Sequence, residues 1–432
     1  MCDSLVALPP ATAGKNVIFG KSADCQVNEA HALVRIPRKR HFSGETFRAT
    51  HIVIPQVEET YEVLLSKSFW TWGCEMGINE HGLAMGNEAV WSTVQNDETV
   101  DGLISMDLMR LALERARTCQ EAIDVIGSLL KEYGQGGNCE LSGNSHFDCL
   151  FIVSDTKEAY VLETAGREWS AKRIETIGSI SNAFTINDDW DQCSLAVGDG
   201  KLNWTATYEE PEIVPLIGSR ERQATTYQGL ATAQGNIDIQ TAFDILRHHG
   251  DDYHPAVGDV ATNICVHAGP QEYRQWQATG AMASQVSSDG ILAWVTGTSG
   301  TCVSIFKPVF LGVEMPDIGP VPTERFNADA LWWKHELLHR RAMTNFGNLV
   351  PAIREDFNAL EAEFLAEAVS VLKGTDLQKK GFMDHCFRKA EEATKKWTDR
   401  LAARTDLKFE DPAYRNMWAK YNREAGVTDM PT

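Results

Sequence analysis

Short apolar runs, punctuated by Pro, Gly, Asn and Asp, fill the first hundred positions of the chain at residues 5–8, 17–20, 32–36, 51–55 and 61–65. Runs of this length between turn residues predict strands. Residues 73–79 and 83–90 flank Glu80-His81-Gly82, which predicts a tight hairpin. The period then changes. Leu103, Met106, Met109 and Leu113 recur at helical spacing, as do Ile123, Ile126 and Leu130 up to Gly134. Strands are predicted at 149–154, 159–164, 169–174 and 177–184, and 200–211 reads as irregular. Ile239, Phe243 and Leu246 predict a further helix, and strands return at 263–266, 282–286, 291–296 and 302–306.

Pro308, Pro316, Pro320 and Pro322 mark a linker-like crossing. Beyond it the texture is helical. Leu349, Ile353, Phe357, Leu360 and Phe364 form one stripe, and Met383, Phe387, Ala390, Trp397 and Leu401 another. Such stripes predict a packed helical appendage rather than a cofactor-binding bundle. The order of blocks is not a strict alternation of strand and helix, so a dinucleotide-binding doubly wound sheet is not expected. An α+β architecture with largely antiparallel sheets fits the order better.

Composition narrows the function classes. The 432 residues carry a formal net charge of −20, a surface that repels nucleic-acid phosphates. The ten cysteines are scattered, with no C-x-x-C pair, which argues against a zinc ribbon and a disulfide framework. His248-His249, His254 and His267 do not make a metal-ligand set, and no metal or other cofactor is expected. The first twenty residues hold no signal-like apolar run, and no segment approaches the roughly 18 apolar residues of a membrane span. A soluble, cytoplasmic protein without nucleic-acid or membrane partners is expected.

The chemistry centres on Cys2. Removal of Met1 leaves a thiol and a free α-amine on one residue. An α-amine titrates near about 7.7–8.0, so it serves as the base for its own thiol and later as the acid for a leaving amine. The following apolar run, 5–8, is a candidate strand to anchor that terminus. A second strand hairpinned onto it brings Lys21 and Asp24 near Cys2; the cation lowers the thiol pKa and the carboxylate holds the amine.

Several ordered motifs then resemble the secernins. They are Cys2-Asp3, Phe19-Gly20-Lys21 with Asp24, Trp72-Gly73-Cys74-Glu75-Met76-Gly77, Asn79-Glu80-His81-Gly82 and Gly86-Asn87-Glu88-Ala89-Val90-Trp91. Tyr133-Gly134-Gln135-Gly136-Gly137-Asn138-Cys139, Leu162-Glu163-Thr164-Ala165-Gly166, Ser181-Asn182 and Phe306-Lys307-Pro308 continue the match. Leu331-Trp332-Trp333-Lys334-His335-Glu336 is similar to the C-terminal region of bacterial relatives. Secernins are similar to bacterial cysteine dipeptidases and, more distantly, to penicillin V acylases and bile-salt hydrolases.

The resemblance implies an α+β fold: a four-layer αββα sandwich of the N-terminal-nucleophile (Ntn) hydrolases over 2–312, with a helical extension over 325–425. It implies Cys2 as nucleophile, Asp24 as the carboxylate that orients the α-amine and substrate, and Asn87 and Asn182 as site amides. Asn87 falls in the stretch that supplies an oxyanion-hole side chain in the acylases. Arg222 aligns with a site arginine, with Arg220 a close competitor. Lys21 stands where acylases carry Arg; it keeps the charge for substrate binding but loses the bidentate fork. The implied partner is a small peptide, first a dipeptide, or an N-acyl amide, and a homo-oligomer follows from family analogy. Some secernin relatives are associated with exocytosis, so a regulatory or binding protein without turnover is the alternative.

Overall fold

The computed structural model describes residues 1–94, 101–195, 200–250, 253–258 and 262–431. β1 (Cys2–Ala7) and β2 (Val17–Gln26) form the first antiparallel pair. β3 (His31–Ile36) follows. Two small ribbons come next: β4 (Lys39–Arg40) pairs with β7 (Glu59–Thr60), and β5 (Thr46–Arg48) pairs with β6 (Val53–Pro55). β8 (Val63–Ser68), β9 (Met76–Asn79) and β10 (Ala84–Val90) then form a meander, whose β9–β10 hairpin turns through Gly82 at φ 83° as the sequence predicts.

Helices α1 (Ser105–Arg115) and α2 (Cys119–Tyr133) precede β11 (Asp148–Ser154), β12 (Ala159–Ala165), β13 (Glu168–Ile174), β14 (Ile177–Ile180) and β15 (Gln192–Cys193). Thr118 caps α2 by accepting from the Glu121 N–H, and Gly134 ends it at φ 75°. Next come α3 (Trp204–Tyr208), α4 (Ser219–Thr232), α5 (Ile239–Leu246), β16 (Trp276–Ser287), β17 (Gly290–Val295) and β18 (Lys307–Val309). The chain continues through α6 (Leu331–Ala342), α7 (Phe346–Leu372), α8 (Asp376–Ala402) and α9 (Pro412–Ala425).

Among the described residues the strands build two main antiparallel sheets. One runs β14-β1-β2-β16-β17-β18, and the other β15-β13-β12-β11-β10-β9-β8-β3. Their faces meet through β1, β2 and β16 on one side and β8 to β11 on the other. Helices α1 and α2 cover the outer face of the eight-stranded sheet, and α4 and α5 that of the six-stranded sheet. This is the αββα sandwich that the resemblance implies. Both faces of β1 are therefore covered, and all six of its residues are buried, which is why Asp3 and Ser4 sit in an interior strand beside Leu5 and Val6.

A second apolar layer, including Met85, Leu108, Leu111, Ile123, Ile126, Phe151 and Leu162, lies under α1 and α2. Each such buried side chain contributes about 1.5–3 kcal/mol. Helices α7 and α8 pack against the β17–β18 edge, and α6 packs on α8. Arg340 of α6 donates to Asn422 of α9 and to Asn28 beside β2, each at 2.7 Å, joining the extension to the sandwich.

Several expectations are corrected. Residues 200–211 are not irregular throughout: Asn203 accepts from the Ala206 N–H and starts α3, and Trp204 is buried against Phe184 and Tyr208. Residues 263–266 form no strand; Ile264 and Cys265 donate their backbone N–H groups to the His248 carbonyl instead of to a ladder. Residues 302–306 contain a 3-10 turn, Thr301–Val303, set by Gly300 at φ 60°, and the strand begins only at Lys307. Pro308 is inside that strand rather than in a linker, on a sheet edge where its missing N–H costs no ladder bond. The 51–55 strand shrinks to Val53–Pro55 and the 177–184 strand to Ile177–Ile180.

Candidate active site

Cys2 opens β1, between β14 and β2, and pairs in register with Ala23. Alternation sends Cys2 and Ser4 toward the other sheet, and Asp3 toward the helical layer and α4. The Cys2 side of the strand faces β10, where Gly86 leaves the needed room. A Cβ there would lie 2.5 Å from Lys21 Cδ and 2.7 Å from Ser4 Oγ. Gly73 does the same for the N-terminal end of α1: a Cβ on it would meet the Met106 carbonyl carbon at 2.1 Å.

The Cys2 backbone nitrogen donates to Asn182 Oδ1 at 2.8 Å. Asn182 is fixed at both ends, its Nδ2 donating to the Ala89 carbonyl at 2.8 Å and its Oδ1 also accepting from Arg222 Nη2 at 2.6 Å. Arg222 is fully buried. It further donates to Ser181 Oγ at 2.7 Å, to Asp3 Oδ2 at 3.1 Å and to the Ile217 carbonyl. Ser181 returns to the strand by donating to the Cys2 carbonyl at 3.3 Å. Arg220, two residues earlier on α4, points elsewhere. It pairs with Glu209 at 2.6 Å near the surface. Only Arg222 of the two reaches Cys2's surroundings.

Cys2 is 7% exposed and lines a cavity of ≈ 340 Å³ together with Met1, Asp24, Glu75, Asn87, Trp91, Phe147 and Trp276. The Asp24 N–H points at Cys2 Sγ from 3.4 Å. Burial pushes the thiol above its ordinary range, while Lys21 and the terminal amine pull it down. Lys21 is fully buried, 3.5 Å from Glu88 Oε1; burial opposes its charge, but Cys2, Glu88, Glu75 and Asp24 together hold it protonated. Both Asp24 carboxylate oxygens are buried without a hydrogen-bond partner, and burial, opposed by the terminal amine, pushes that group up to about 8. Glu75 is likewise pushed up to about 7 by burial, against the pull of Lys21.

The structure thus brings Cys2, Lys21, Asp24, Asn182 and Arg222 into one neighbourhood, with Asn87 on the cavity wall. The Asn87 amide orientation that satisfies both of its ends puts the NH2 group 3.1 Å from Glu75 Oε2 and 2.9 Å from the Glu75 carbonyl, and its oxygen 3.3 Å from Ser105 Oγ. Both donors therefore rest on Glu75. Sequence reasoning missed Asp3, Glu75 and Ser181 as members of this network. Asp3 and Ser181 adjoin Cys2 and Asn182, and Glu75 lies inside the Trp72–Gly77 motif, so adjacency was the available signal. It also missed Cys25, a cavity-lining thiol 3.4 Å from His31 Nε2.

A family model described as acyl-coenzyme A:6-aminopenicillanic acid acyl-transferase matches residues 45–167. Among solved structures, the chain is similar to a mutant of the conjugated bile acid hydrolase from Clostridium perfringens, with 14% identity over 76% of this chain and 97% of that one, at a TM-score of 0.46. A second variant of that hydrolase matches with 15% identity over 68% and 88%, at 0.40. A Caenorhabditis elegans ortholog of N-acylethanolamine-hydrolyzing acid amidase matches with 13% identity over 57% and 85%, at 0.33. Among the described residues, no helix is long and apolar enough to cross a membrane.

Proposed function

We propose that the protein is a cysteine Ntn hydrolase that cleaves linear amide C–N bonds through Cys2. The observation that carries the reading is the joint placement of Cys2 on the cavity wall and of its nitrogen on Asn182. That nitrogen is the amide of the Met1–Cys2 bond; loss of Met1 turns it into the α-amine without moving its partner.

In the proposed cycle the amine takes the thiol proton, directly or through water, and the sulfur attacks the substrate carbonyl carbon. The charge that develops on the carbonyl oxygen is met by N–H donors on the cavity wall, with Asn87 released from Glu75 as the side-chain candidate. The C–N bond breaks as the ammonium returns its proton to the leaving nitrogen, and a thioester remains. Water, deprotonated by the same amine, then attacks the thioester and restores the thiol. Asp24 holds the ammonium form of the amine, which supplies the partner its two bare oxygens lack. Lys21 favours the thiolate electrostatically. Arg222 acts as a positioning residue through Asn182 and Asp3.

The secernin and cysteine-dipeptidase resemblance makes a dipeptide the first substrate to test, and the apolar Trp91, Phe147 and Trp276 on the cavity wall keep an N-acyl amide beside it. The non-enzymatic reading is a chain that retains Met1, buried on Val266, Ile217 and Trp276. A chain that keeps Met1 has no Cys2 amine. Intact mass, stoichiometric alkylation and turnover of a dipeptide and acyl-amide panel separate the two. The proposal expects loss of Met1, one fast-reacting thiol, and turnover abolished in a folded Cys2→Ala chain. Unchanged turnover in that variant overturns it.

A further inference from the structure

A second cluster shares no residue with the lining of the Cys2 cavity. We propose that His249, Cys265, His267 and Cys302 bind one zinc ion in a closed, tetrahedral, structural site. Their ligand atoms all lie within 4.8 Å of one another. His267 Nε2 sits at the centre of the set, 3.1 Å from His249 Nε2, 3.3 Å from Cys302 Sγ and 3.6 Å from Cys265 Sγ. Zinc bonds of about 2.0–2.1 Å to nitrogen and about 2.3 Å to sulfur give tetrahedron edges of about 3.3–3.8 Å. The three distances from His267 Nε2 lie within a few tenths of an ångström of those edges, and the widest separation in the set, at most 4.8 Å, closes by up to about 1 Å on binding.

The ligands come from three separate segments. His249 follows α5, Cys265 and His267 lie in the loop before β16, and Cys302 lies in the 3-10 turn after β17. Cys265, His267 and Cys302 are buried, and all the cysteines are free thiols. Three buried groups of this kind, drawn together from distant stretches without a disulfide, form a donor set rather than a solvated face. Two thiolates balance the charge of a divalent ion, so the loaded site is neutral and suited to the interior. Two soft sulfurs and two imidazoles select zinc over the oxygen-seeking cations. Four protein ligands leave no open position for water, so the site holds structure rather than performing catalysis.

The surroundings supply the outer support that metal-bound imidazoles use. His267 Nδ1 lies 3.0 Å from His339 Nε2, and His339 Nδ1 lies 3.1 Å from Glu336 Oε2. A neutral chain of tautomers, in which His267 donates to His339 and His339 donates to Glu336, leaves the His267 Nε2 lone pair facing the other three ligands. Glu336 is held in turn by Arg340 Nε at 2.8 Å, Gln277 Nε2 at 3.2 Å and the Ser299 hydroxyl. The Cys302 N–H points at Cys265 Sγ from 3.4 Å, a backbone donor placed for a thiolate. Binding converts two thiols to thiolates and releases two protons. The ion fastens an otherwise irregular loop, including the Val266 that packs on Met1, to the turn after β17 and, through His339, to α6.

The test is metal analysis of the full chain purified without chelator. One zinc per chain is expected, with near-complete loss in Cys302→Ser and His249→Ala and full retention in Cys193→Ser, whose thiol lies elsewhere. Cobalt exchange into the wild-type chain reports geometry even where the variants fail to fold; an intense tetrahedral spectrum with sulfur-to-cobalt charge transfer is expected. Zinc that stays substoichiometric after incubation with the ion, an octahedral cobalt spectrum, or a Cys265–Cys302 disulfide in peptide mapping would overturn the proposal.

Discussion

Arg222→Met keeps much of the aliphatic bulk of a fully buried side chain and deletes its guanidinium. Contacts to Asp3, Ser181, Asn182 and the Ile217 carbonyl go with it. Asp3 is then left inside the sandwich with its Oδ1 unpartnered, as before, and its Oδ2 stripped of the cation. Burial already pushes the Asp3 carboxyl up against the pull of Arg222, so the variant is expected to protonate it rather than hide a bare charge. Removing one member of a buried pair costs about 3–5 kcal/mol. Asp3→Asn in the same chain removes the stranded acid, and the double variant is expected to lose about 2 kcal/mol less than the sum of the two singles. Arg220→Met is the control: the Arg220 side chain is itself about half exposed, and a change under about 0.5 kcal/mol is expected. Equilibrium denaturant unfolding of wild type and the four variants measures all three numbers. An Arg222→Met cost below about 1 kcal/mol, or strict additivity with Asp3→Asn, refutes the account of Arg222 as the cation that ties β1 to α4.

Two further outcomes are expected. With Met1 in place, Asp24 titrates near 8 when folded against an ordinary 3.8, so between those values only the folded chain holds the proton and stability falls as pH rises. By pH 7 that is about three units, or about 4 kcal/mol, so in a chain that keeps Met1 Asp24→Asn should melt higher than its parent at pH 7 and level with it at pH 4; a gap independent of pH counts against the buried, unpaired carboxylate, and in the Met1-free chain the same substitution should instead lower kcat/KM. Gly86→Ala should destabilise by about 1–3 kcal/mol, read by thermal melts, because its methyl drives into Lys21 and Ser4 across the sheets; an unchanged melt argues that the sheets do not approach so closely.

Much of this was legible in the chain because apolar spacing carried it. The β9–β10 turn, α1, α2 and the long helices α7 and α8 all announce themselves through periodic Leu, Ile and Phe or a terminating glycine. α4 did not, since two of its buried positions are Arg222 and Thr226, and polar groups buried by partners leave no amphipathic stripe. The choice between Arg220 and Arg222 depended on which face of α4 meets β1. Residues 263–266 and 302–306 look like strands because they are apolar and buried, yet they lie in a loop and a turn. The histidines looked unrelated for a similar reason: Cys265 and Cys302 join His249 and His267 only after three segments converge.

The placement of β1 has a practical corollary. Its two flanks are occupied by β14 and β2, and the residue ahead of Cys2 already lies in the cavity. Any affinity handle fused upstream must therefore thread out along that hollow and would cork it. Handles belong behind α9, and an upstream fusion becomes a built-in inhibitor whose protease-triggered release can be timed.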